Sequence, residues 1–376
     1  MAPHVYVSSP AGNFAASFPG DSLWPTTSEP KTSRPPPIES HPSPNGSIGC
    51  CPTERSFRAA RPLRAGVYVP TVCFFDQETE DVDIDTIARH AVRLAEAGVA
   101  GIATQGSNGE AVHLTHAERE QVTSTTRKAL DNAGFSHIPV VVGCGAQSTR
   151  ETIQYCCEAW EAGGDYALVL PPSYYAASFA PSSKTIIEYF STVANISPIP
   201  IIIYNFPSAA NGLDLTSDII LHLARHPKIV GVKLTCGNTG KLNRIAAVVQ
   251  KRTKAYDPER PDFLVLAGSA DFSIQSLIAG GHGVLAGLAN IAPKTCIKTI
   301  ELYKAGRHPE AQKMQETLSH ADWIAIQGGV ICVKAGLQGW MGYGGYMRRP
   351  LPKPTIEQAK SWKEGFRELV LLEESL

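Results

Sequence analysis

The 376-residue sequence predicts an α/β fold, namely a (β/α)8 TIM barrel with a C-terminal helical subdomain. Eight short apolar runs follow one another, and most begin about 30 residues after the previous run, which is the length of one βα unit. Stretches with the helical spacing of apolar residues separate the runs. The runs comprise residues 67–75, 98–104, 138–143, 166–170, 199–204, 229–234, 263–267 and 284–288.

Helix starts can also be located in the sequence. Thr115 with Glu118, and Ser148 with Glu151, have the spacing of a capping box, in which each side chain satisfies a backbone N–H of the first helical turn. After the eighth run, residues 295–376 contain more helix-forming sequence than one closing helix needs. We therefore predict a separate helical subdomain there.

The first 65 residues differ from the rest in composition. Twelve of the 28 prolines lie between Pro3 and Pro62, and serine and threonine are frequent around them. Because proline cannot continue a helix or a central strand, we predict that residues 1–65 form a disordered Pro/Ser-rich arm and that the barrel covers residues 66–294. The arm lacks the apolar core of a secretory signal.

Charge and composition exclude several classes of function. The formal net charge of −1 gives no electrostatic reason to bind nucleic acid or an anionic membrane, and no apolar run is long enough to span a bilayer. The nine cysteines are an odd number without a C-x-x-C motif, which is typical of free thiols in a reducing compartment. We expect a cytoplasmic protein, with a mitochondrial address in the arm as the alternative.

Lys233 is the only basic residue in the eight apolar runs. Side chains of a strand alternate between its faces, so Lys233 shares a face with Gly231 and Thr235, whereas Val232 belongs to the other face. Burial disfavours a charged amine, and a neutral amine can attack a carbonyl group to form a Schiff base. The alternative is a lysine that extends its ammonium group to solvent from the end of the strand.

In a (β/α)8 barrel, the residues that carry chemistry gather at the C-terminal ends of the strands. A glycine-flanked loop there suits a carboxylate or phosphate, and a phenol beside an amine can transfer protons. The alternatives are an ordinary βα turn and tyrosines that only pack. The residues concerned are Gly106 to Glu110 after strand 2, Tyr174 and Tyr175 after strand 4, Tyr204 ending strand 5, Lys233 and Thr235 ending strand 6, Gly268 and Ser269 after strand 7, and Asn290 after strand 8.

No motif points to a cofactor. Histidines and cysteines lack the spacing of a metal site, and no dinucleotide-binding or P-loop motif occurs in a suitable context. We therefore expect chemistry that needs neither a metal nor an organic cofactor.

The order of these motifs resembles the dihydrodipicolinate synthase / N-acetylneuraminate lyase family, whose members are Schiff-base aldolases and lyases acting on pyruvate-containing substrates. The resemblance covers residues 66–352. Residues 104–110 and 266–270 are most similar to 4-hydroxy-2-oxoglutarate aldolases. The same segments together with residues 234–238 are similar to fungal L-threo-3-deoxy-hexulosonate aldolases. The motifs are Gly-Ser-Asn-Gly-Glu at 106–110, Tyr-Tyr at 174–175, Tyr-Asn-Phe-Pro at 204–207 and Val-Gly-Val-Lys ending at Lys233.

The resemblance implies a role for each of eight residues. Lys233 would form the Schiff base, and Tyr204 would donate and accept the protons. Tyr175 would complete the proton relay, supplied by a neighbouring subunit of a homotetramer. The remaining residues would bind the substrate, with Ser107 and Asn108 at the pyruvyl carboxylate and Thr235, Gly268 and Leu285 along the cleft.

One segment departs from the pattern of this family. Members that make dihydrodipicolinate carry an arginine shortly after Tyr-Asn-x-Pro, where it grips a second carboxylate in a bidentate contact. Residues 208–212 of this chain are Ser-Ala-Ala-Asn-Gly instead. A neutral segment is better suited to a polyhydroxy tail.

These observations predict a class I aldolase that cleaves a 4-hydroxy-2-oxo acid to pyruvate and an aldehyde. The expected substrate is a 2-keto-3-deoxy sugar acid such as L-threo-3-deoxy-hexulosonate. The alternatives are a 4-hydroxy-2-oxoglutarate aldolase, a Schiff-base dehydratase and a non-catalytic protein that binds 2-oxo acids. The expected partners are a small 2-oxo acid and further copies of the chain.

Overall fold

Eight parallel strands close into a barrel in which each strand pairs with its neighbours in chain order and the last pairs with the first. The computed structural model describes residues 60–179, 182–252, 257 and 261–376. The predicted (β/α)8 barrel is confirmed. The predicted disordered arm comprises residues 1–65, of which residues 1–59 lie outside the described residues. The strands are β1 Gly66–Pro70, β2 Gly101–Thr104, β3 Val140–Gly143, β4 Tyr166–Val169, β5 Ile201–Asn205, β6 Ile229–Leu234, β7 Leu264–Ala267 and β8 Gly283–Leu285.

Alternate strand residues fill the inside of the barrel. Lys233 pairs in register with Tyr204 of β5 and Leu266 of β7, both of which belong to this inner cluster, whereas Val232 belongs to the cluster between strands and helices. The side chain of Lys233 therefore faces the barrel interior, as strand alternation predicted. The inner cluster comprises Leu63, Tyr68, Ala103, Val141, Tyr166, Leu168, Ile202, Tyr204, Leu264, Leu266 and Leu285.

Twelve helices accompany the strands within the described residues. The predicted boundary between residues 294 and 295 falls inside the ninth helix, which packs against β1 and so completes the barrel. Three further helices make up the C-terminal part. None of the described helices combines the length and the apolarity that a membrane crossing requires. The helices are α1 Ile84–Glu96, α2 His116–Asn132, α3 Thr149–Glu161, α4 Ala176–Phe179, α5 Lys184–Ile196, α6 Ser217–Leu223, α7 Thr239–Arg252, α8 Ser273–Ile278, α9 Pro293–Lys304, α10 His308–Met341, α11 Ile356–Gly365 and α12 Arg367–Glu374.

Of the two predicted capping boxes, one forms completely and the other only in part. At the start of α2, Thr115 and Glu118 form the complete capping box, with both side-chain-to-backbone contacts present. At α3 only half of the motif forms, because the Ser148 hydroxyl accepts from the backbone N–H of Glu151 without the reciprocal bond. Several predicted runs are longer than the strands they contain. Residues 72–75, for example, are buried beyond the end of β1 but are not part of that strand. An apolar run in the sequence predicts which residues are buried, and buried residues continue beyond the last residue of the strand.

The segment before β1 closes the amino-terminal end of the barrel. Leu63 is buried in the inner cluster, and the Arg61 guanidinium forms a 2.9 Å ion pair with Asp165. The Tyr166 hydroxyl donates to the carbonyl of Arg61 at 2.6 Å, and the Tyr68 hydroxyl donates to the carbonyl of residue 64 at 2.9 Å. The described residues 61–64 are therefore packed against the barrel, although they precede the predicted boundary at residue 65.

Candidate active site

Lys233 and Tyr204 meet inside the barrel at the carboxyl ends of β6 and β5. The two residues are partners in the strand register, and the Lys233 side chain is buried, with an exposed fraction of 4% for the residue. Its Nζ lies 4.0 Å from the centroid of the Tyr204 ring, and the Phe206 ring stacks on Tyr204 with 5.7 Å between centroids. The predicted neighbours are thus brought into contact.

Lys233 differs from the two other buried lysines of the described chain in lacking a partner. Lys241 forms an ion pair with Asp214, and Lys334 forms one with Glu110 at 3.1 Å. Among the described residues, no carboxylate or hydrogen-bond acceptor contacts the Lys233 amine, whose neighbour is the face of an aromatic ring. An amine that is not engaged by an acid is available to contact a carbonyl group of a ligand.

The loop after β2 presents Ser107 and Asn108 between two residues in the left-handed region. Gln105 has a φ of 55° and Glu110 a φ of 51°, and both are buried. Ser107 is exposed and Asn108 is half-buried. The Gln105 amide donates to the Thr123 hydroxyl at 2.7 Å, which anchors the start of the loop on α2. The predicted carboxylate-binding pair therefore lies on a short loop with fixed ends.

A cavity of about 330 Å³ opens beside this loop. Tyr204 forms part of its wall, so the phenol is the group that the cavity and the Lys233 amine share. Lys233 and Asn108 do not line the cavity themselves. No lysine or arginine belongs to the described lining, and Glu110 is its one charged residue. The other polar side chains of the lining are Gln105, Ser107, Gln147 and Ser173.

Tyr175 is not brought to the amine within one chain. Tyr174 and Tyr175 have exposed fractions of 74% and 66%, and their rings contact each other edge to face at 4.9 Å. The segment is held through its backbone, because the Gln147 side-chain carbonyl accepts from the N–H groups of Ser173 and Tyr174 at 2.9 and 2.8 Å. Two adjacent exposed phenols remain available at the mouth of the barrel.

The three residues predicted to line the cleft lie in different surroundings. The Thr235 hydroxyl is buried and has no hydrogen-bond partner among the described residues. Gly268 lies against it so closely that a Cβ at Gly268 would overlap that hydroxyl. Leu285 is fully buried in the inner cluster. Thr235 is therefore the member of this set with a free polar group to offer a ligand.

Sequence reasoning missed side chains from α10 that hold two of the rim loops. Asp322 accepts hydrogen bonds from the Ser269 hydroxyl at 2.7 Å and from the N–H of Asp271 at 2.9 Å, and burial raises the pKa of Asp322 to about 6. Lys334 reaches Glu110 after β2 in the same manner. A usable signal existed for Lys334, since it is the single charge within the apolar residues 330–337.

Metal ligands are not grouped in the described part of the chain. No three histidine, cysteine, aspartate or glutamate residues there lie close enough together to hold an ion. Chemistry without a metal or cofactor stays a prediction.

Comparison with known proteins places this geometry in a family. "Probable 4-hydroxy-2-oxoglutarate aldolase, mitochondrial" of Emericella nidulans is 55% identical over 318 residues, covering 85% of this chain and 99% of that protein. An L-threo-3-deoxy-hexylosonate aldolase of Aspergillus niger is 46% identical over 332 residues, covering 84% of this chain and 98% of that protein.

The solved structures agree with the sequence comparison. A prophage protein of E. coli K12 from the dihydrodipicolinic acid synthase family, determined in complex with pyruvate, superposes with a TM-score of 0.72 at 26% identity. The match covers 81% of this chain and 98% of that chain. The model of the Dihydrodipicolinate synthetase family matches residues 64–368. The predicted resemblance is confirmed, and the chain belongs to the dihydrodipicolinate synthetase family.

Proposed function

We propose that the protein is a class I aldolase that cleaves a 4-hydroxy-2-oxo acid to pyruvate and an aldehyde. The observation that carries this proposal is the buried, unpaired Lys233 amine 4.0 Å from the ring of Tyr204. The aldolase names of the Emericella and Aspergillus relatives support the same carbon–carbon lyase chemistry.

The reaction begins when the neutral Lys233 amine adds to the C2 ketone of the substrate. The resulting carbinolamine loses water, with Tyr204 supplying and recovering the protons, and leaves a protonated Schiff base. Loss of the C4 hydroxyl proton then breaks the C3–C4 bond, because its electron pair flows into the iminium. An aldehyde leaves, and the enamine that remains takes a proton at C3. Hydrolysis releases pyruvate and restores the Lys233 amine.

The loop after β2 holds the carboxylate of the substrate in this proposal. Ser107 and Asn108 provide polar side chains, and the glycines on either side allow backbone N–H groups to approach an anion closely. Thr235 adds a buried hydroxyl without a partner among the described residues. Fixing the carboxylate places C2 for attack, and orientation of this kind supplies a large part of the rate of such reactions.

The absence of a cation from the described lining of the cavity favours a polyhydroxy tail over a second carboxylate. Gln147, Ser107 and Ser173 offer amide and hydroxyl groups, and the described lining contains no cation to pair with a terminal carboxylate. We therefore place L-threo-3-deoxy-hexulosonate first among the candidate substrates. The second candidate is 4-hydroxy-2-oxoglutarate, because the 55% identical Emericella relative carries the name of that activity.

A substrate panel tests both candidates. Pyruvate release should be measured with several 2-keto-3-deoxy sugar acids and with 4-hydroxy-2-oxoglutarate, and kcat/KM should be highest for a sugar acid. A higher kcat/KM for 4-hydroxy-2-oxoglutarate would reverse the order of the candidates. Formation of a dioxo acid without an aldehyde would identify a Schiff-base dehydratase, and turnover of none of these compounds would favour a non-catalytic binder of 2-oxo acids.

The active assembly in this proposal is a homotetramer in which a neighbouring subunit contributes Tyr175. The exposure of Tyr174 and Tyr175 at the mouth of the barrel supports this arrangement. Sedimentation velocity of the purified chain tests it, since a monomer at working concentrations would contradict it.

The compartment is proposed from the relative and from the arm. The name of the Emericella relative includes "mitochondrial", which favours the mitochondrial alternative over a cytoplasmic location. A fusion of residues 1–65 to a fluorescent protein should accumulate in mitochondria, and a diffuse cytoplasmic signal would return the assignment to the cytoplasm.

A further inference from the structure

The loop that we assign to the substrate carboxylate is anchored at its far end by Glu110. A left-handed backbone is costly for a residue that is neither glycine nor asparagine, so Glu110 needs external contacts to hold its φ of 51°. Its carboxylate supplies them, because one oxygen contacts Lys334 Nζ at 3.1 Å and the other accepts from the backbone N–H of Arg348 at 3.0 Å. The Glu110 carboxylate thereby joins the loop after β2 to the C-terminal part of the chain.

Lys334 is itself fixed in place. It is fully buried, it donates a second hydrogen bond to the carbonyl of Tyr346, and its amine lies 4.8 Å from the centroid of the Phe75 ring. Burial lowers the pKa of the Lys334 amine, and the Glu110 carboxylate opposes that shift. Its position on α10 therefore sets the position of Glu110.

The charge of this pair also concerns the ligand. Glu110 is the one charged residue in the described lining of the cavity, which we assign to an anionic substrate. Without a cation beside it, a buried carboxylate would repel a second carboxylate across a medium of low dielectric constant. Lys334 cancels that charge from behind the loop without lining the cavity.

We propose that Lys334 is a positioning residue for substrate binding, which holds Ser107 and Asn108 in place through Glu110 and neutralises Glu110 beside the carboxylate of the 2-oxo acid. This inference rests on the function proposed above. Lys334 takes no part in bond making. Its loss should therefore weaken binding of the 2-oxo acid more than it slows the chemistry that follows binding.

The test compares Lys334→Met, Glu110→Gln and the double variant. Two quantities report binding: KM for the sugar acid, and the pyruvate concentration that gives half-maximal trapping by borohydride. Loss of one buried contact should raise both by about tenfold in Lys334→Met, while kcat changes less than KM. The double variant leaves no unpaired buried charge, so it should fold even where a single variant does not.

Arg127→Met provides a matched control. Arg127 is also a buried cation, paired with Asp131 at 2.8 Å and bonded to the carbonyl of Ile138 at 2.7 Å, but it lies at the amino-terminal side of the barrel. The control should lower the melting temperature and leave KM and half-maximal trapping unchanged. It separates general loss of stability from loss of loop position.

The double variant tests whether Lys334 positions the loop after β2. If it folds and binds the sugar acid and pyruvate as the parent does, Lys334 has no positioning role and the proposal is overturned in that part; parent-like binding in Lys334→Met as well would overturn the neutralising role too. A raised KM with a kcat close to that of the parent supports it. Failure of the proposed function would appear elsewhere, in a parent protein that forms no pyruvate adduct at any pyruvate concentration.

Discussion

The end of β6 and the C-terminal half of α10 each bury one lysine, and the two amines differ in whether an acid contacts them. Lys233 faces an aromatic ring and has no carboxylate among the described residues, whereas Lys334 is bonded to a carboxylate and to a backbone carbonyl. Both residues are at least 96% buried by the same measure, since their exposed fractions are 4% and 0%. Burial alone therefore does not distinguish the two lysines.

The two lysines differ in whether a neighbouring acid compensates for the free-energy cost of burying a charged amine. At Lys334 burial lowers the pKa of the amine, and the Glu110 carboxylate offsets part of that shift. At Lys233 no acid of the described residues contacts the amine, which is the group that attacks the ketone in our proposal. In our proposals the same residue type has a binding role at one site and a chemical role at the other, and the two sites differ in whether an acid contacts the amine.

The sharpest way to break this comparison is to remove the unpaired amine. Lys233→Ala should abolish both turnover and the adduct that borohydride traps with pyruvate, because no other buried lysine lacks an acid partner in the described chain. Peptide mapping by mass spectrometry should place the adduct of the parent protein on Lys233. At saturating pyruvate, Lys241→Met and Lys334→Met should still be trapped. An adduct on Lys334 or Lys241 in the parent protein would contradict the assignment.

A second variant removes only the proton carrier beside the amine. Tyr204→Phe keeps the ring that packs between Lys233 and Phe206, so the fold should survive. General acid–base catalysis typically contributes about 10²–10⁴-fold, and kcat should fall by that factor while KM changes little. Turnover within about twofold of the parent would show that Tyr204 only packs.

Tyr175→Phe should have a smaller effect than Tyr204→Phe. Tyr175 is exposed in one chain and acts in our proposal across a subunit boundary, one step further from the amine. Mixed oligomers of Lys233→Ala and Tyr175→Phe subunits should regain activity, because some sites would then combine an intact lysine with an intact tyrosine. If mixing yields no more activity than the two variants measured separately, the shared site is wrong.

The smallest expected effect concerns Asp322, a buried acid that forms no ion pair with a described residue. Burial raises the pKa of Asp322 to about 6 in the folded protein. A raised folded pKa contributes stability that is present at low pH and is lost as the pH rises through about 6. In Asp322→Asn this contribution is absent, so the difference in unfolding free energy between parent and variant should shift against the parent between about pH 4 and pH 7. Denaturant titrations at both pH values measure it, and a difference that stays constant with pH would contradict titration of Asp322 as its cause.

The contact between Lys233 and Tyr204 could be predicted because its signals are local. Lys233 is a lone charge in an apolar run, Tyr204 ends the preceding strand, and chain order makes those two strands neighbours in a barrel. The Lys334–Glu110 pair is different, since the two residues lie 224 positions apart. The sequence around one residue gives no indication that the other is its partner. Its discovery required the packing of α10 on the barrel.

Boundaries were predicted less well than elements. Composition changes near residue 65, but the chain begins to pack earlier because Leu63 enters the barrel and Arg61 pairs with Asp165. Position 295 falls within α9 for a related reason, since an apolar run ends where the last strand ends and gives no indication of the helix that must still cover it.

The break in α10 sets a lower limit on the length of a working chain. Gly329, with a φ of 60° and a ψ of −152°, divides the helix into two rods, and each rod reaches a different loop at the mouth of the barrel. Asp322 on the first rod holds the turn after β7, and Lys334 on the second holds the turn after β2. A chain shortened to end after α9 would retain all eight βα units but lose both braces. If these contacts hold the substrate loops as we propose, the shortest active chain extends beyond the barrel into α10.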